Sequence, residues 1–312
     1  MSRAVVFAYH NVGVRCLSVL LAHGVDVVRV VTHADSPTET IWFDSVAELA
    51  ARHDIPVITP EDPNDPTIVA ELAALQPDFF FSFYYRLMLK APLLALPKHG
   101  AFNMHGSLLP KYRGRVPVNW AVIHGERETG ASLHRMLEKP DAGGILAQQA
   151  VPILPDDTAF EVFNKITLAA EMALDRILPD LLAGRAVATE QNLAAGSYFG
   201  ARRAEDGRID WNQPAAMVHN LIRAVAPPYP GAFSDTAKGR LKVLRSLHPT
   251  NEIGPYGGRP TLFVRSGHLY AECGDGRLLR LLAVELQGLP LTECSAGDQI
   301  NALFGTPALS LP

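Results

Sequence analysis

Three short apolar runs constrain this chain more than any other feature: A-V-V-F-A-Y (Ala4 to Tyr9), V-V-R-V-V (Val27 to Val31) and D-F-F-F-S-F (Asp78 to Phe83). Each is nearly continuous rather than alternating, the pattern of strands buried on both faces of a parallel sheet. Parallel neighbours need crossovers, and the intervening sequence offers helical ones. Cys16 to Ala22 has helical apolar spacing and is ended by Gly24, after a turn at Asn11 and Gly13. Phe43 to Arg52 and Ile68 to Leu75 read as further helices, His33 to Glu39 as a polar loop, and Pro56 to Ile58 and Gly100 to His105 as further strands. The alternation predicts βαβ units in a parallel, doubly wound α/β sheet. Ligands of such sheets sit outside the carboxyl ends of the strands.

Beyond this region, Pro117 to His124 reads as a helix with proline in its first turn, and Gly130 to Met136 and Ile145 to Ile153 as strands. Asp156 and Asp157 are candidate caps for a long helix, Phe160 to Leu182. The sequence changes character after Gly184. Gly196 to Gly207 is small, polar and basic, as expected of a linker. Ile209 to Trp211 and a helix, Pro214 to Val225, lead into A-P-P-Y-P-G-A-F. Short apolar runs then alternate with Gly-rich turns: Leu241 to Leu247, Thr261 to Val264, Leu269 to Cys273 and Leu278 to Val284. That pattern predicts a small antiparallel barrel or sandwich. Two domains are expected, 1–200 and 201–312.

Chemistry concentrates in G-A-F-N-M-H-G-S-L-L-P-K-Y-R-G, Gly100 to Gly114. Asn103 and His105 are two apart on a strand and so face the same side. Gly106 then breaks the strand into a loop carrying Lys111, Arg113 and Arg115. A lone histidine on an apolar strand is ordinarily a hydrogen-bonded core residue, but that does not explain the neighbouring amide, the Gly-Ser break or the basic loop. An amide can donate to a developing oxyanion while an imidazole moves protons near neutral pH, which together suit acyl transfer. Asp141 sits in P-D-A-G-G, where an aspartate has local turn-forming reasons to occur. Beside His105 its charge would orient the ring and favour the protonated form. Spacing alone does not bring the two together.

Other chemistries lack their patterns. No G-x-S-x-G surrounds Ser107, and the eleven histidines show no H-E-x-x-H or other metal-ligand spacing. The turn after the first strand lacks G-x-G-x-x-G, which disfavours a dinucleotide cofactor. Three scattered cysteines, Cys16, Cys273 and Cys294, give no disulfide framework. A net charge of −4 argues against a general nucleic-acid binder. No apolar stretch is long enough to span a bilayer, and the N-terminus enters a strand without a signal-peptide pattern. A cytoplasmic protein without membrane insertion is expected, with homo-oligomerisation left open.

F-N-M-H-G-S-L-L-P-K-Y-R-G followed by D-A-G-G resembles the signature of the 10-formyltetrahydrofolate-dependent formyltransferases. V-V-F-A-Y-H, F-S-F-Y-Y-R (Phe81 to Arg86), T-G-A-S-L-H-R-M (Thr129 to Met136) and H-N-L-I-R-A-V-A with P-G-A-F extend the resemblance. Those stretches are most similar to the branch represented by the formyltransferase domain of the bifunctional polymyxin-resistance enzyme. The resemblance implies a Rossmann-like N-terminal catalytic domain and a smaller C-terminal OB-like β-barrel. It also implies formyl transfer from 10-formyltetrahydrofolate, without a metal, to the 4-amine of UDP-4-amino-4-deoxy-L-arabinose, a step of lipid A modification.

By residue, the resemblance assigns the charge-stabilising amide to Asn103, proton transfer to His105 and the tuning carboxylate to Asp141. Folate contacts would fall on Leu87, Met88, Leu89, Arg115, Leu137, Glu138, Lys139, Pro140 and Asp141. Leu87-Met88 departs from the polymyxin branch, which has a histidine and a leucine there. Alternative acceptors in the same family are methionyl-tRNA and other nucleotide-linked amino sugars. A tRNA enzyme needs a basic phosphate-binding surface, which this slightly acidic chain does not advertise. Tyr229, Phe233, Arg202 and Arg203 are candidates for contact with the nucleotide.

Overall fold

The buried first strand shows how the sequence builds the sheet. In the computed structural model, which describes residues 2–37, 40–236, 239–291 and 308–312, every residue of β1 (Arg3–Ala8) after Arg3 is buried. α1 (His10–Ala22), β2 (Asp26–Val31), α2 (Val46–Arg52), β3 (Val57–Ile58), α3 (Pro66–Ala74) and β4 (Phe79–Phe83) continue the strand–helix alternation. One helical turn, α4 (Ala91–Leu94), precedes β5 (Ala101–His105) and β6 (Arg113–Gly114). Then follow α5 (Pro117–Ile123), β7 (Glu128–Arg135), β8 (Ile145–Pro152) and α6 (Ala159–Leu182).

The main sheet has the order β3-β2-β1-β4-β5-β7-β8. Its first five strands pair in parallel, and β7 runs antiparallel to β5. The chain winds outward from β1 to β3 and then returns to place β4 on the other side of β1. A crevice outside the carboxyl ends of β1 and β4 is the expected ligand edge of such a sheet. One face is closed by Val5, Phe7, Phe80, Leu72 and Leu93. Burying such a side chain is worth roughly 1.5–3 kcal/mol, so this face alone is a substantial part of the core's stabilisation.

Three local expectations need correction. Asn11 and Gly13 do not form a turn: α1 already starts at His10, with Tyr9 as its extended N-cap. Gly13 serves close packing instead, because a Cβ there would lie 2.9 Å from a Val46 methyl carbon. The helix read from Phe43 starts only at Val46, where the Ser45 hydroxyl caps it by accepting from the Glu48 N–H (3.3 Å); the Phe43 ring stacks on His10 (centroids 3.9 Å apart). α6 is capped by Thr158 and Glu161, not by Asp156 or Asp157. Thr158 N–H donates to Glu161 Oε2 (2.6 Å), and Glu161 N–H donates back to Thr158 Oγ1 (3.3 Å).

The chain divides into two compact units, residues 1–117, 128–151 and 164–200 in one and 118–127, 152–163 and 201–312 in the other. The expected linker is not featureless, since β9 (Tyr198–Phe199) pairs in parallel with β6 inside the first unit. The second unit contains α7 (Ala215–Val225), β10 (Ala232–Thr236), β11 (Gly239–Ser246), β12 (Thr261–Arg265) and β13 (His268–Glu272). β14 (Leu278–Leu286), β15 (Leu289–Leu291) and β16 (Ala308–Ser310) complete it. Its sheet follows the path β10-β11-β14-β13-β12-β16, with β15 on β14, and every pair is antiparallel. Ala215, Val218, Ile222 and Val225 of α7 pack with Trp211, Leu241, Val243 and Leu281 in its core.

Cys16 and Cys273 are buried free thiols, and Cys294 lies outside the described residues. Among the described residues, no helix is long and apolar enough to cross a membrane.

Candidate active site

β5 brings the site together by alternation. Phe102 and Met104 are buried, while Asn103 and His105 take the opposite side. Register does the rest: Asn103 lies between Ser82 of β4 and His134 of β7, and His105 lies opposite Ser132.

The Asp141 carboxylate reaches this group from the loop after β7. Its Oδ1 lies 3.5 Å from His105 Nδ1 and 3.5 Å from His134 Nε2, and its Oδ2 accepts the Gly114 N–H (2.9 Å). Asp141 is in the left-handed region (φ 51°), and its turn is fixed by Gln191, whose Nε2 donates to Asp141 O (3.1 Å) and Gly143 O (2.6 Å). Burial works to raise the Asp141 pKa. The facing His105 ring, the His134 ring and the Gly114 amide outweigh it and hold the carboxyl well below the usual carboxylate range.

His105 donates Nε2–H to the Tyr112 carbonyl (2.8 Å) while Nδ1 faces Asp141. Both ring nitrogens thus face acceptors, which the doubly protonated ring satisfies on both sides and a neutral ring on one side only.

His134 is the member of this cluster that the sequence reading missed. Its Nδ1–H donates to Arg135 O (2.8 Å), leaving Nε2 to accept from Asn103 Nδ2 (3.2 Å). Its Nε2 therefore lies against both the Asn103 amide and the Asp141 carboxylate. The signal available was its place in T-G-A-S-L-H-R-M, two residues from Ser132, but the antiparallel register of β7 was needed to interpret it. Ser107 is not a nucleophile here, since its hydroxyl donates to Lys111 O (2.6 Å).

Of the residues assigned to folate, Asp141 alone stands in this cluster. Leu87 and Met88 are exposed on the loop after β4, where Asn64 braces the backbone by donating to Met88 O (2.9 Å) and accepting from Lys90 N–H (2.7 Å). Leu89 is packed in the core, so only its backbone faces outward chemistry. Arg115 extends from the loop after β6, and Leu137, Glu138, Lys139 and the half-buried Pro140 lie on the loop after β7. Among the described residues no group of three or more His, Cys, Asp or Glu could hold a metal.

The nucleotide candidates belong to the second unit and are largely committed there. Burial pushes the Tyr229 phenol up to about 12, opposed by its hydrogen bond with Asn119. Phe233 is buried, with the Arg240 and Arg208 guanidinium groups over its ring (4.0 and 4.9 Å). Arg202 lies over Trp120 (4.8 Å).

A family model described as formyl transferase matches residues 15–178, and a formyl transferase C-terminal domain model matches residues 202–294. The chain belongs to the formyl transferase family. Solved structures share the fold of this formyltransferase. One is an N-formyltransferase from Helicobacter canadensis, in complex with folinic acid and dTDP-3-aminofucose (TM-score 0.71, 23% identity, 90% of this chain and 99% of that one). WlaRD, a sugar 3N-formyl transferase crystallised with dTDP and 5-N-formyl-THF, gives TM-score 0.71 at 21% identity over 90% of this chain and 97% of its own. A 4-N formyltransferase from Francisella tularensis gives 0.62 at 20% identity, covering 76% of this chain and 94% of that one.

Proposed function

We infer that this formyltransferase moves a formyl group from 10-formyltetrahydrofolate to the amine of a nucleotide-linked amino sugar, with Asn103, His105 and Asp141 as its catalytic residues. The observation that carries this reading is the convergence of an amide, an imidazole and a buried carboxylate within 3.5 Å contacts. The solved enzymes of the same fold that hold a folate and a dTDP-sugar support the donor and the class of acceptor. For the acceptor itself, the stretches V-V-F-A-Y-H, F-S-F-Y-Y-R and P-G-A-F favour UDP-4-amino-4-deoxy-L-arabinose.

The folate would lie against Leu87, Met88, Arg115 and the 137–141 loop, and it supplies a formyl carbon on N10. Negative charge develops on the formyl oxygen as the sugar amine adds. Asn103 Nδ2 has two hydrogens, one directed at His134, so the other can donate to that oxygen. A cationic His105 adds attraction in a site shielded from water. As the C–N10 bond breaks, His105 Nε2 would exchange Tyr112 O for N10 and give it a proton, and the ring would take up the proton that the added sugar amine loses. Asp141, facing Nδ1, holds the ring during that exchange.

The test is mass-spectrometric detection of N-formyl sugar from 10-formyltetrahydrofolate and UDP-4-amino-4-deoxy-L-arabinose, with dTDP-amino sugars and methionyl-tRNA as competing acceptors. Asn103→Ala should lower kcat by roughly 10²–10³ with folate binding retained. Formate release indifferent to every sugar offered would overturn the reading.

A further inference from the structure

The loop from Gly106 to Arg115 must hold two groups still: the Tyr112 carbonyl that takes the His105 N–H, and the Gly114 N–H that donates to Asp141. Neither belongs to β5, and both residues are in positive-φ conformations (56° and 97°) that do not propagate a strand. The near end of the loop is tied to β7 and β8. Ser132 Oγ donates to Ser107 O (2.6 Å) and accepts from Leu109 N–H (3.1 Å) and Gln148 Nε2 (2.8 Å).

The far end is tied to residues 196–199. Ser197 N–H donates to Pro110 O (3.3 Å), Ser197 Oγ accepts the Tyr112 N–H (2.8 Å), and Ser197 O accepts the Arg113 N–H (3.0 Å). Phe199 O accepts the Arg115 N–H (2.9 Å), and the Phe199 and Tyr112 rings stack 5.4 Å apart. The fit is close, since a Cβ on Gly114 would lie 2.2 Å from Phe199 O.

One peptide group faces both ways. The amide joining Tyr112 to Arg113 gives its N–H to Ser197 and its C=O to His105, and because an amide is planar, tilting one end tilts the other. We propose that Ser197 is a positioning residue for formyl transfer: its carbonyl holds the Tyr112–Arg113 peptide and its hydroxyl holds the preceding Lys111–Tyr112 peptide, so that both planes flanking the Tyr112 Cα are fixed and, through the Tyr112 carbonyl, the rotation of the His105 ring against Asp141. This rests on the catalytic reading of His105. Ser197 acts through Tyr112 and is not placed at the reacting atoms. The hydroxyl is the part that substitution can remove, because the backbone pairing of β6 with β9 persists without it.

The experiment compares Ser197→Ala and Ser197→Thr with the wild type in two measurements. Steady-state kinetics should show kcat reduced roughly tenfold to a hundredfold in Ser197→Ala, with KM for both substrates within a few-fold and a displaced pH profile of kcat. Ser197→Thr, which keeps the hydroxyl, should recover most of the loss. Imidazole ¹⁵N spectra of the folate-free protein should show altered His105 ring signals in Ser197→Ala and near-native ones in Ser197→Thr. Unchanged kcat and superimposed ring spectra in Ser197→Ala would overturn the proposal, as would a loss that threonine does not repair. If the wild type formylates no sugar, the proposed function fails by itself, and the ring spectra still decide the role of Ser197.

Discussion

Asp141 is asked to do more than any other side chain here, since one carboxylate faces two imidazoles and an amide. Removing its charge leaves the facing His105 ring and the Gly114 N–H without their counterpart. Asp141→Asn is expected to destabilise the fold by roughly 3 kcal/mol at pH 7, the scale of a broken buried pair. The sign follows from the depressed pKa: the stabilisation is present above the unfolded-state value near 4 and is lost as pH falls through the lower folded-state value. Denaturant melts of wild type and Asp141→Asn should therefore begin to approach each other as pH falls below about 4 and coincide only below the depressed folded-state value. His134 offers a separate handle. His134→Phe should lower kcat roughly tenfold, the equivalent of one ordinary hydrogen bond. His134→Gln, which keeps an acceptor for Asn103, should lose less. Equal activity in wild type and His134→Phe would remove His134 from the working site.

Among the elements, β1, β2 and β4 of the main sheet were legible because they are nearly continuous apolar runs, a pattern that helices of the same length do not need. Asn103 and His105 were legible because strand alternation puts them on one side. Asp141 was not placed by spacing; the resemblance named it, and a loop folding back over β5 brings it close. His134 stayed hidden because its partner depends on β7 running backwards. Residues 196–199 read as a linker because most of their contribution is backbone pairing, and the partners of the Ser197 hydroxyl and the Phe199 ring lie far away in sequence. α7 hides a comparable feature: His219 donates Nε2–H to Pro155 O (2.9 Å) and accepts from the Ser246 hydroxyl (2.9 Å). Burial pushes its pKa down to about 4, with the Pro155 carbonyl opposing and Arg223 assisting. The folded ring stays neutral while the unfolded chain takes up a proton below about 6.5, so stability falls as pH drops from about 6.5 to 4. At 1.36 kcal/mol per pKa unit the loss approaches about 3 kcal/mol. His219→Gln should flatten that stretch of the stability–pH curve measured by chemical denaturation; an unchanged slope would refute the assignment.

For the whole molecule, the feature that matters is how the two units share the chain. Residues 118–127 and 152–163 pack with residues from far later in the sequence. Asn119 Nδ2 donates to Ala224 O (2.8 Å), and Arg223 donates to Asp157 O (2.9 Å) and Val122 O (3.5 Å). A fragment comprising 201–312 alone lacks the Asn119, Val122, Pro155 and Asp157 partners. It should melt well below the full-length protein or aggregate, as read by circular dichroism; a cooperative melt at the full-length temperature would show those inserts to be dispensable. The same threading governs recombination between relatives. Residue blocks change unit at 117, 127, 151, 163 and 200, so a chimera made with one crossover inside the chain mixes two parents within at least one unit. To exchange the second unit whole and leave the first untouched, an engineer must recombine at all five positions.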